Sequence, residues 1–201
     1  MCWINRADIE PEYVLSLDTN DDSVVEYKRL FPVSTKYFAY PNRSAIDAIN
    51  NGAGIATGDL FIVVSDDFDC PEHWDTLLLN ELNGKSDFLV KTQDLLQPTL
   101  ITLPIMDRTY YNRFGYVYHP DYLHMYCDQE MTAAGHLLGR VITSSLVFEH
   151  KHYSTGKNEM DAISTKNDST WGQGERVFNE RLSFNFGIAN PVMQYRDIKW
   201  R

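Results

Sequence analysis

Two acidic clusters stand out among the residues of this sequence that could carry out chemistry. Asp18, Asp21 and Asp22 follow one short apolar run. Asp66 and Asp67 follow another. If both runs are strands of an open α/β sheet, their carboxyl ends border the crevice in which such folds bind ligands. Neighbouring carboxylates suit Mg²⁺ or Mn²⁺, which prefer oxygen ligands and often bridge to substrate phosphates. An ordinary acidic turn is the alternative interpretation, because Asp is common in turns.

Two histidines and two further acids also have positions that suggest chemistry. His150 and His152 end a predicted strand and point to the same face, so either could join a carboxylate in a metal site. A pair of surface histidines at a strand edge is the alternative. Asp128 and Glu130 begin a predicted helix, where a carboxylate could act as a general base or only stabilise the helix N-terminus.

Other phosphate-binding and nucleophile motifs are absent from the sequence. The three glycines Gly52, Gly54 and Gly58 lack the spacing of a dinucleotide fingerprint, and they precede a strand instead of following one. There is no Walker motif and no serine nucleophile elbow. Phosphate binding would therefore depend on a metal and on basic side chains such as Arg43.

The elements that must position these residues are predicted from apolar runs and turn residues. Strands are expected over 13–17, 37–40, 60–64, 88–90, 99–103, 115–118, 141–143 and 146–150. Helices are expected over 23–30, from Ser44 to about Gly54, and over 71–84, 107–113, 128–139 and 176–181. This order is typical of an α/β fold. We expect one domain over 1–155, with a C-terminal extension over 156–201 packed on it.

Composition and charge argue against several classes of function. The 201 residues are 43% hydrophobic and 23% charged, which is close to a globular average. The 28 acidic and 18 basic side chains give a net charge of −10, which repels phosphates and predicts no nucleic-acid partner. The longest apolar run, Leu60 to Val64, is far shorter than the ~20 residues of a membrane helix, so no membrane span is predicted.

The cysteines and the first residues bear on the cellular compartment. Cys2, Cys70 and Cys127 are odd in number, widely spaced and never in a Cys-x-x-Cys pair. This pattern argues against a disulfide framework and against a thiolate zinc site. The first residues also lack the apolar core of a secretory signal. The prediction is a cytoplasmic protein.

The segments from Asn42 to Gly52 and from Ala56 to Asp67 together resemble the centre of the GT-A glycosyltransferases, especially the family-2-like inverting enzymes. That family has a helix with a basic residue and a later Asn, then Ala-x-Gly-Asp, an apolar strand and a metal-binding DxD or Asp-Asp motif. Residues 15–18 are similar to its second strand, and 114–116, 128–130 and 148–152 are similar to later motifs. The resemblance covers residues 10–155 and implies a mixed, mainly parallel sheet flanked by helices.

The resemblance also implies a role for each matching position. Contacts with the donor nucleotide or sugar would come from Asp18, Asp21, Arg43, Asn50 and Asp66. Asp67 would hold Mn²⁺ or Mg²⁺ on the diphosphate, with His150 or His152 as a further ligand. Asp128 would deprotonate the acceptor hydroxyl, and Glu130 is the second candidate for that base.

The implied activity is an inverting transfer of a sugar from a nucleotide-diphospho-sugar, most simply a UDP-sugar, to a hydroxyl of a glycan or another acceptor. Two departures matter: Val64 occupies the first position of the DxD motif, and nothing before Tyr13 resembles the family's first strand. We therefore expect a chain without that strand. The alternatives are a non-catalytic glycosyltransferase-like module that binds a sugar or forms a homo-oligomer, and a nucleotidyltransferase, which would need a Gly-rich phosphate loop.

Overall fold

The computed structural model describes residues 2–31, 35–157 and 159–200, and helices and strands alternate over much of this length. The helices are α1 (Cys2–Asn5), α2 (Val24–Leu30), α3 (Ala45–Ile55), α4 (Trp74–Leu82), α5 (Arg108–Phe114), α6 (Cys127–Leu137), α7 (Ala162–Asp168) and α8 (Trp171–Leu182). The strands are β1 (Val14–Asp18), β2 (Lys36–Tyr40), β3 (Leu60–Ile62), β4 (Phe68–Asp69), β5 (Leu89–Gln93), β6 (Ile105–Asp107), β7 (Val141–Val147) and β8 (Glu149–His150). Short 3-10 turns lie at Tyr153–Thr155, Asn185–Gly187 and Tyr195–Asp197.

The described strands form three small sheets. β1 and β2 make a parallel pair. The central sheet has the order β3-β6-β5-β7, in which β6 is antiparallel to both neighbours and β7 is parallel to β5. β4 and β8 make an antiparallel pair. The predicted α/β class is therefore confirmed. The predicted mainly parallel sheet is not confirmed, because two of these five pairings are parallel and three are antiparallel.

Apolar residues cover both faces of the central sheet, because successive side chains of a strand point to opposite sides. Leu89 and Met106 lie in one core cluster, whereas Val90 and Ile105 lie in a second. Each of these four side chains is almost completely buried. Burial of a large apolar side chain contributes about 1.5–3 kcal/mol, so the two clusters hold the helices onto the sheet.

The C-terminal segment contributes to the first of these clusters. Phe178 of α8 is buried there together with Phe186, Ile188 and Ile198. α8 also contacts α6, which carries Asp128 in its first turn. The segment beyond residue 155 is therefore part of the packing that positions the candidate base.

The predicted strand over 99–103 is wrong, and a strand is found at β6 instead. Ile101 and Leu103 are buried as the pattern suggested. The N–H of Ile101 donates to the Thr132 hydroxyl (3.0 Å), so a side chain replaces the partner that a neighbouring strand would supply. Regular pairing begins only after Pro104, whose carbonyl accepts from the N–H of Val63 (3.0 Å).

The predicted strand over 115–118 is also wrong, and Asn50 explains why this segment is nevertheless ordered. The Asn50 carbonyl oxygen accepts from the N–H groups of Val117 (3.0 Å) and Tyr118 (3.2 Å). Its amide group donates to the Tyr118 carbonyl (2.7 Å). One side chain thus provides the hydrogen bonds that a paired strand would normally provide.

Several boundaries also differ from the predictions. α4 begins at Trp74 instead of Pro71, because His73 before it has a left-handed backbone (φ 59°) that helical residues do not adopt. β3 ends at Ile62, two residues before the predicted end of this strand at residue 64. The predicted strands over 141–143 and 146–150 are one irregular strand, β7, followed by β8. α7 was not predicted, since its sequence is polar.

Glu12 joins the β1–β2 pair to the turn before β3. Its carboxylate accepts from the N–H groups of Thr57 (2.7 Å) and Gly58 (2.9 Å) and forms an ion pair with Lys36 at the start of β2. Burial alone would raise the pKa of Glu12, but the contacts with Lys36, Thr57 and Gly58 outweigh it and lower the pKa to about 2. The folded state therefore favours the ionised form.

We expect Glu12→Gln to lower the free energy of unfolding by about 1–2 kcal/mol at neutral pH, after allowance for solvent screening. The lowered pKa means that this contribution is fully present above the ordinary value of 4.5 and is lost as the pH falls towards about 2. Urea unfolding over that range should show the stability curves of the two proteins converging at low pH. An equal change for the exposed Asp22→Asn would contradict the assignment.

Candidate functional site

The candidate metal ligands Asp67 and His150 contact each other in the structure. β8 pairs with β4, and this pairing places His150 opposite Phe68, next to Asp67 in the chain. The Nε2 atom of His150 lies 3.0 Å from Oδ2 of Asp67. The N–H of Lys151 donates to the Asp67 carbonyl (2.7 Å), which fixes the two segments together.

The surroundings of Asp67 keep its carboxylate ionised. Burial alone would raise the pKa of Asp67, but hydrogen bonds from His150 and from the Ser65 hydroxyl outweigh it and lower the pKa. The His150 ring stacks on Phe68 with a centroid distance of 4.2 Å. Its Nδ1 atom is buried and has no hydrogen-bond partner among the described residues. Asp67 is therefore a negative, partly enclosed carboxylate with an orientated imidazole beside it.

His152 lies next to His150 but has a different local role. The two rings are in edge contact, with centroids 5.1 Å apart. Nδ1 of His152 accepts from the N–H of Ser154 (3.2 Å) and so caps the following 3-10 turn. Burial and the neighbouring His150 lower the pKa of His152, which keeps its ring neutral. Of the two predicted histidine ligands, His150 is the one in contact with Asp67.

Asp128, the predicted base, lies at the N-terminus of α6 and in electrostatic range of His150. Burial raises its pKa to about 6, although the N–H of Gln129, its own N–H and His150 act in the opposite direction. The Gln129 N–H lies 2.8 Å from its Oδ1. α6 packs closely on the sheet at Gly135, where a Cβ atom would lie only 2.9 Å from Leu89 and Val141.

Glu130, the second candidate base, is already engaged in a buried ion pair. Both of its carboxylate oxygens lie 2.8 Å from Nε of Arg181. Oε2 also accepts from the Tyr122 hydroxyl (2.7 Å). Glu130 and Arg181 have side-chain exposures of 6% and 11%, so water does not reach this pair freely. Glu130 therefore has a structural role in linking α6 to α8.

His124 is a titratable residue of this region that sequence reasoning did not select. Burial lowers the pKa of His124. Asp168 acts in the opposite direction, and His152 lowers the pKa further. Its Nδ1 atom is buried without a partner among the described residues. No spacing rule links residue 124 to residue 152, so only the folded chain brings them together.

The predicted nucleotide-contacting acids lie at and just beyond the end of β1. Asp18 accepts from the amide of Asn42 (2.7 Å), and Asn42 in turn accepts from the amide of Asn51 (2.9 Å). This hydrogen-bond chain leaves Asp18 exposed at the carboxyl end of the strand. Asp21 accepts from the N–H of Ser23 (2.8 Å) and thus stabilises its own turn.

The remaining residues predicted to contact the donor differ in whether their side chains already have partners within the protein. The Arg43 guanidinium binds Asp47 in a two-pronged ion pair and donates to the Pro120 carbonyl (2.9 Å). The amide of Asn50 is occupied by the 117–118 backbone, as described above. Asp66 is exposed in the turn after β3. Of these three, Asp66 presents the most accessible side chain.

The donor atoms at Asp67 and His150 fit a hard divalent cation. Two adjacent ligands of an octahedral ion with bonds of about 2.1 Å are about 3 Å apart, which matches the 3.0 Å between Asp67 Oδ2 and His150 Nε2. These side chains are not among the described groups in which three protein ligands converge. Mg²⁺ and Mn²⁺ commonly bind one or two protein groups together with substrate phosphates, so the pair is sufficient for that type of site.

No described helix has both the length and the apolar character needed to cross a bilayer. Comparison with known proteins gives no family model that matches this chain and no curated protein that is similar to it. The case for a function therefore depends on the motifs and on the geometry of the site.

Proposed function

We propose that this protein is a metal-dependent, inverting glycosyltransferase of the GT-A type. One observation carries the proposal: Asp67 and His150, separated by 83 positions in the sequence, lie within hydrogen-bond distance, which brings two potential metal ligands together. Asp128, the residue with the role of base, lies in range of the same histidine. These three roles came from one family resemblance, and the folded chain brings the three residues to one region.

In the proposed reaction each residue has a separate task. Asp67 and His150 would hold Mn²⁺ or Mg²⁺, which would supply positive charge to the leaving diphosphate. Asp128 accepts the proton of the acceptor hydroxyl. As that oxygen forms its bond to the anomeric carbon, the bond from this carbon to the nucleoside diphosphate breaks. Because attack and departure occur on opposite faces of the sugar, the anomeric configuration is inverted.

The raised pKa of Asp128 suits this role. A base is most effective when its pKa is near the working pH, because it is then both deprotonated and able to accept a proton. A pKa of about 6 leaves the Asp128 carboxylate mostly ionised at neutral pH. Glu130 is excluded from this task in our proposal, because its oxygens are held by Arg181 and Tyr122.

For donor binding we propose exposed residues at the end of β1 and in the turn after β3. Asp18 would contact the nucleoside base, with Asp21 and Arg43 at the same side, and Asp66 would contact the ribose or the sugar. Asn50 would contribute indirectly, because its amide orders the 117–118 backbone. A UDP-sugar is the first donor to test, and the acceptor is a hydroxyl of a glycan or another molecule.

Calorimetric titration with UDP, GDP and CDP tests this proposal directly. We expect one nucleotide to bind in the presence of Mn²⁺ and to lose at least about tenfold in affinity when the metal is removed. Asp67→Ala should abolish the metal dependence, because Asp67 is the only proposed carboxylate ligand of the ion. Asp197→Ala, which changes an exposed carboxylate of the last 3-10 turn, is the matched control and should bind normally.

The absence of binding by any of the three nucleotides would contradict the enzyme proposal.

The alternative function, a non-catalytic module that binds a sugar or a second copy of the chain, is favoured by one observation. Among the described pairings β1 contacts only β2, and β3 contacts only β6, so one edge of each strand is unpaired. Unpaired edges are templates for association. Failure of nucleotide binding together with a dimer in sedimentation analysis would support this second function.

A further inference from the structure

A second cluster of metal-binding atoms lies apart from the proposed catalytic residues. One ligand atom each from Cys2, Asp69 and Cys70 lies within 4.8 Å of the others. Cys2 begins α1, whereas Asp69 and Cys70 end β4 and follow it. Cys70 is buried, and the other two are half-buried. Two thiols and a carboxylate that are far apart in the sequence are therefore adjacent in the fold.

Several contacts hold α1 against β4 and so maintain this cluster. Arg6, just after α1, donates to Asp69 Oδ1 (2.7 Å) and to the Cys70 carbonyl. The Trp74 indole donates to the Trp3 carbonyl (2.9 Å). Trp3 also stacks on Phe148, with centroids 5.4 Å apart. The two thiols are consequently placed by a packed core and not by a flexible end of the chain.

Basic groups orientate the carboxylate of the cluster. Arg6 binds Oδ1 of Asp69, and Nζ of Lys151 lies 3.1 Å from Oδ2. Glu149 is directly opposite Asp69 in the β4–β8 pair, which adds a second negative charge to this face. Basic and acidic groups around the thiols therefore nearly balance.

The geometry of the cluster suits a shared cation, because the ligand atoms of the two thiols and the carboxylate converge within 4.8 Å. A divalent cation stabilises bound thiolates by its own charge.

We propose that Cys2, Cys70 and Asp69 form a zinc site that fastens α1 to β4. Two thiolates and one carboxylate match the sulfur and oxygen ligands that Zn²⁺ takes in tetrahedral sites, and water completes the fourth position. Two S–H bonds break and two Zn–S bonds form, and both protons pass to solvent. The gain of two positive charges is thus balanced by the loss of two protons, so Arg6 and Lys151 can remain paired with Asp69.

The position of this site separates it from the proposed nucleotide site. Asp69 and Glu149 lie on one face of the β4–β8 pair, whereas Phe68 and His150 lie on the other. Zinc would therefore brace the strand pair that presents His150 without contacting the donor. The inference stands independently of the glycosyltransferase proposal.

Cobalt substitution of the reduced, chelator-treated protein tests the zinc site. We expect one equivalent of Co²⁺ to give the thiolate charge-transfer and visible d–d absorption of a sulfur-ligated tetrahedral ion, and Zn²⁺ to displace it. Cys2→Ser and Cys70→Ser should each lose at least about a hundredfold in affinity, since outer-shell changes alone cost 10–100-fold. Cys127→Ser, a change in the other core cluster, should bind cobalt normally.

Other results would overturn the proposal. Absence of the charge-transfer band in the folded wild-type protein is one of them. Persistence of the band in Cys2→Ser is another, and this variant guards against misfolding because Cys2 is only half-buried. A Cys2–Cys70 disulfide that forms readily in air without any metal binding would identify a redox pair instead. Asp67→Ala should leave the cobalt spectrum unchanged, which distinguishes failure here from failure of the nucleotide site.

Discussion

Asp128→Asn is expected to reduce the rate of sugar transfer by a factor of about 10²–10⁴, the range that general-base catalysis contributes. The amide keeps the size of the side chain and can still accept from the N–H of Gln129, so α6 should remain intact. It cannot take up the acceptor proton. Steady-state transfer at saturating donor, together with calorimetric binding of the nucleotide, should therefore show a lost rate with unchanged donor affinity.

The pH dependence adds a specific signature to this experiment. Burial raises the pKa of Asp128 to about 6, and the base acts only when it is deprotonated. Wild-type kcat/KM should thus fall as the pH drops below about 6, whereas the residual activity of Asp128→Asn should lack this limb. Asp197→Asn should behave like the wild type. Transfer at the wild-type rate by Asp128→Asn would mean that another group is the base.

Arg181→Met is expected to lower the free energy of unfolding by about 3–5 kcal/mol, which is typical when one partner of a buried ion pair is removed. Among the described residues, the substitution leaves the buried Glu130 carboxylate with the Tyr122 hydroxyl as its remaining side-chain donor. It also removes the ion pair that links α8 to α6. Urea unfolding at neutral pH measures this loss directly.

Two further variants separate the ion pair from general effects on α8. Arg176→Met changes an exposed arginine of the same helix and should cost less than about 1 kcal/mol. The double variant Arg181→Met with Glu130→Gln removes both charges and should recover part of the stability, because no unpaired charge remains. A loss of under about 1 kcal/mol for Arg181→Met alone would refute the structural role of Glu130.

Elements with a local signal were predictable from the sequence. α3 follows Ser44 with apolar residues on one side, and β1 and β2 are short apolar runs that end at Asp18 and Pro41. The irregular backbone of residues 99–103 could not be predicted, because the buried residues of this segment alternate as they do in a strand. Its backbone, however, has a different partner: the N–H of Ile101 binds the Thr132 hydroxyl, 31 positions away, instead of a neighbouring strand.

The site was predictable where a motif fixed it and unpredictable where only tertiary contacts do. Asp67 was selected with either His150 or His152 as a further ligand, and of the two histidines it is His150 that contacts Asp67. The resemblance placed Asp128 ahead of Glu130 as the candidate base, but no local pattern predicts that Glu130 is paired with Arg181 of a distant helix. The Cys2 and Cys70 pair was argued against by spacing rules, which see only ligands that are close along the chain.

The limited attachment of the β1–β2 pair affects how readily a ligand can bind at Asp18. α2 buries no residue, and the β1–β2 pair joins the rest of the fold through the contacts of Glu12, through α3, which packs on β1 near Ser16, and through Tyr13, which packs against the second core cluster. We expect this unit to open sub-globally, so its amide protons should exchange with solvent before those of β5. A ligand that contacts Asp18, as we propose for the donor, would bind the closed form, and its apparent affinity would scale with the population of that form. Donor binding and local folding of this unit would then be one linked equilibrium.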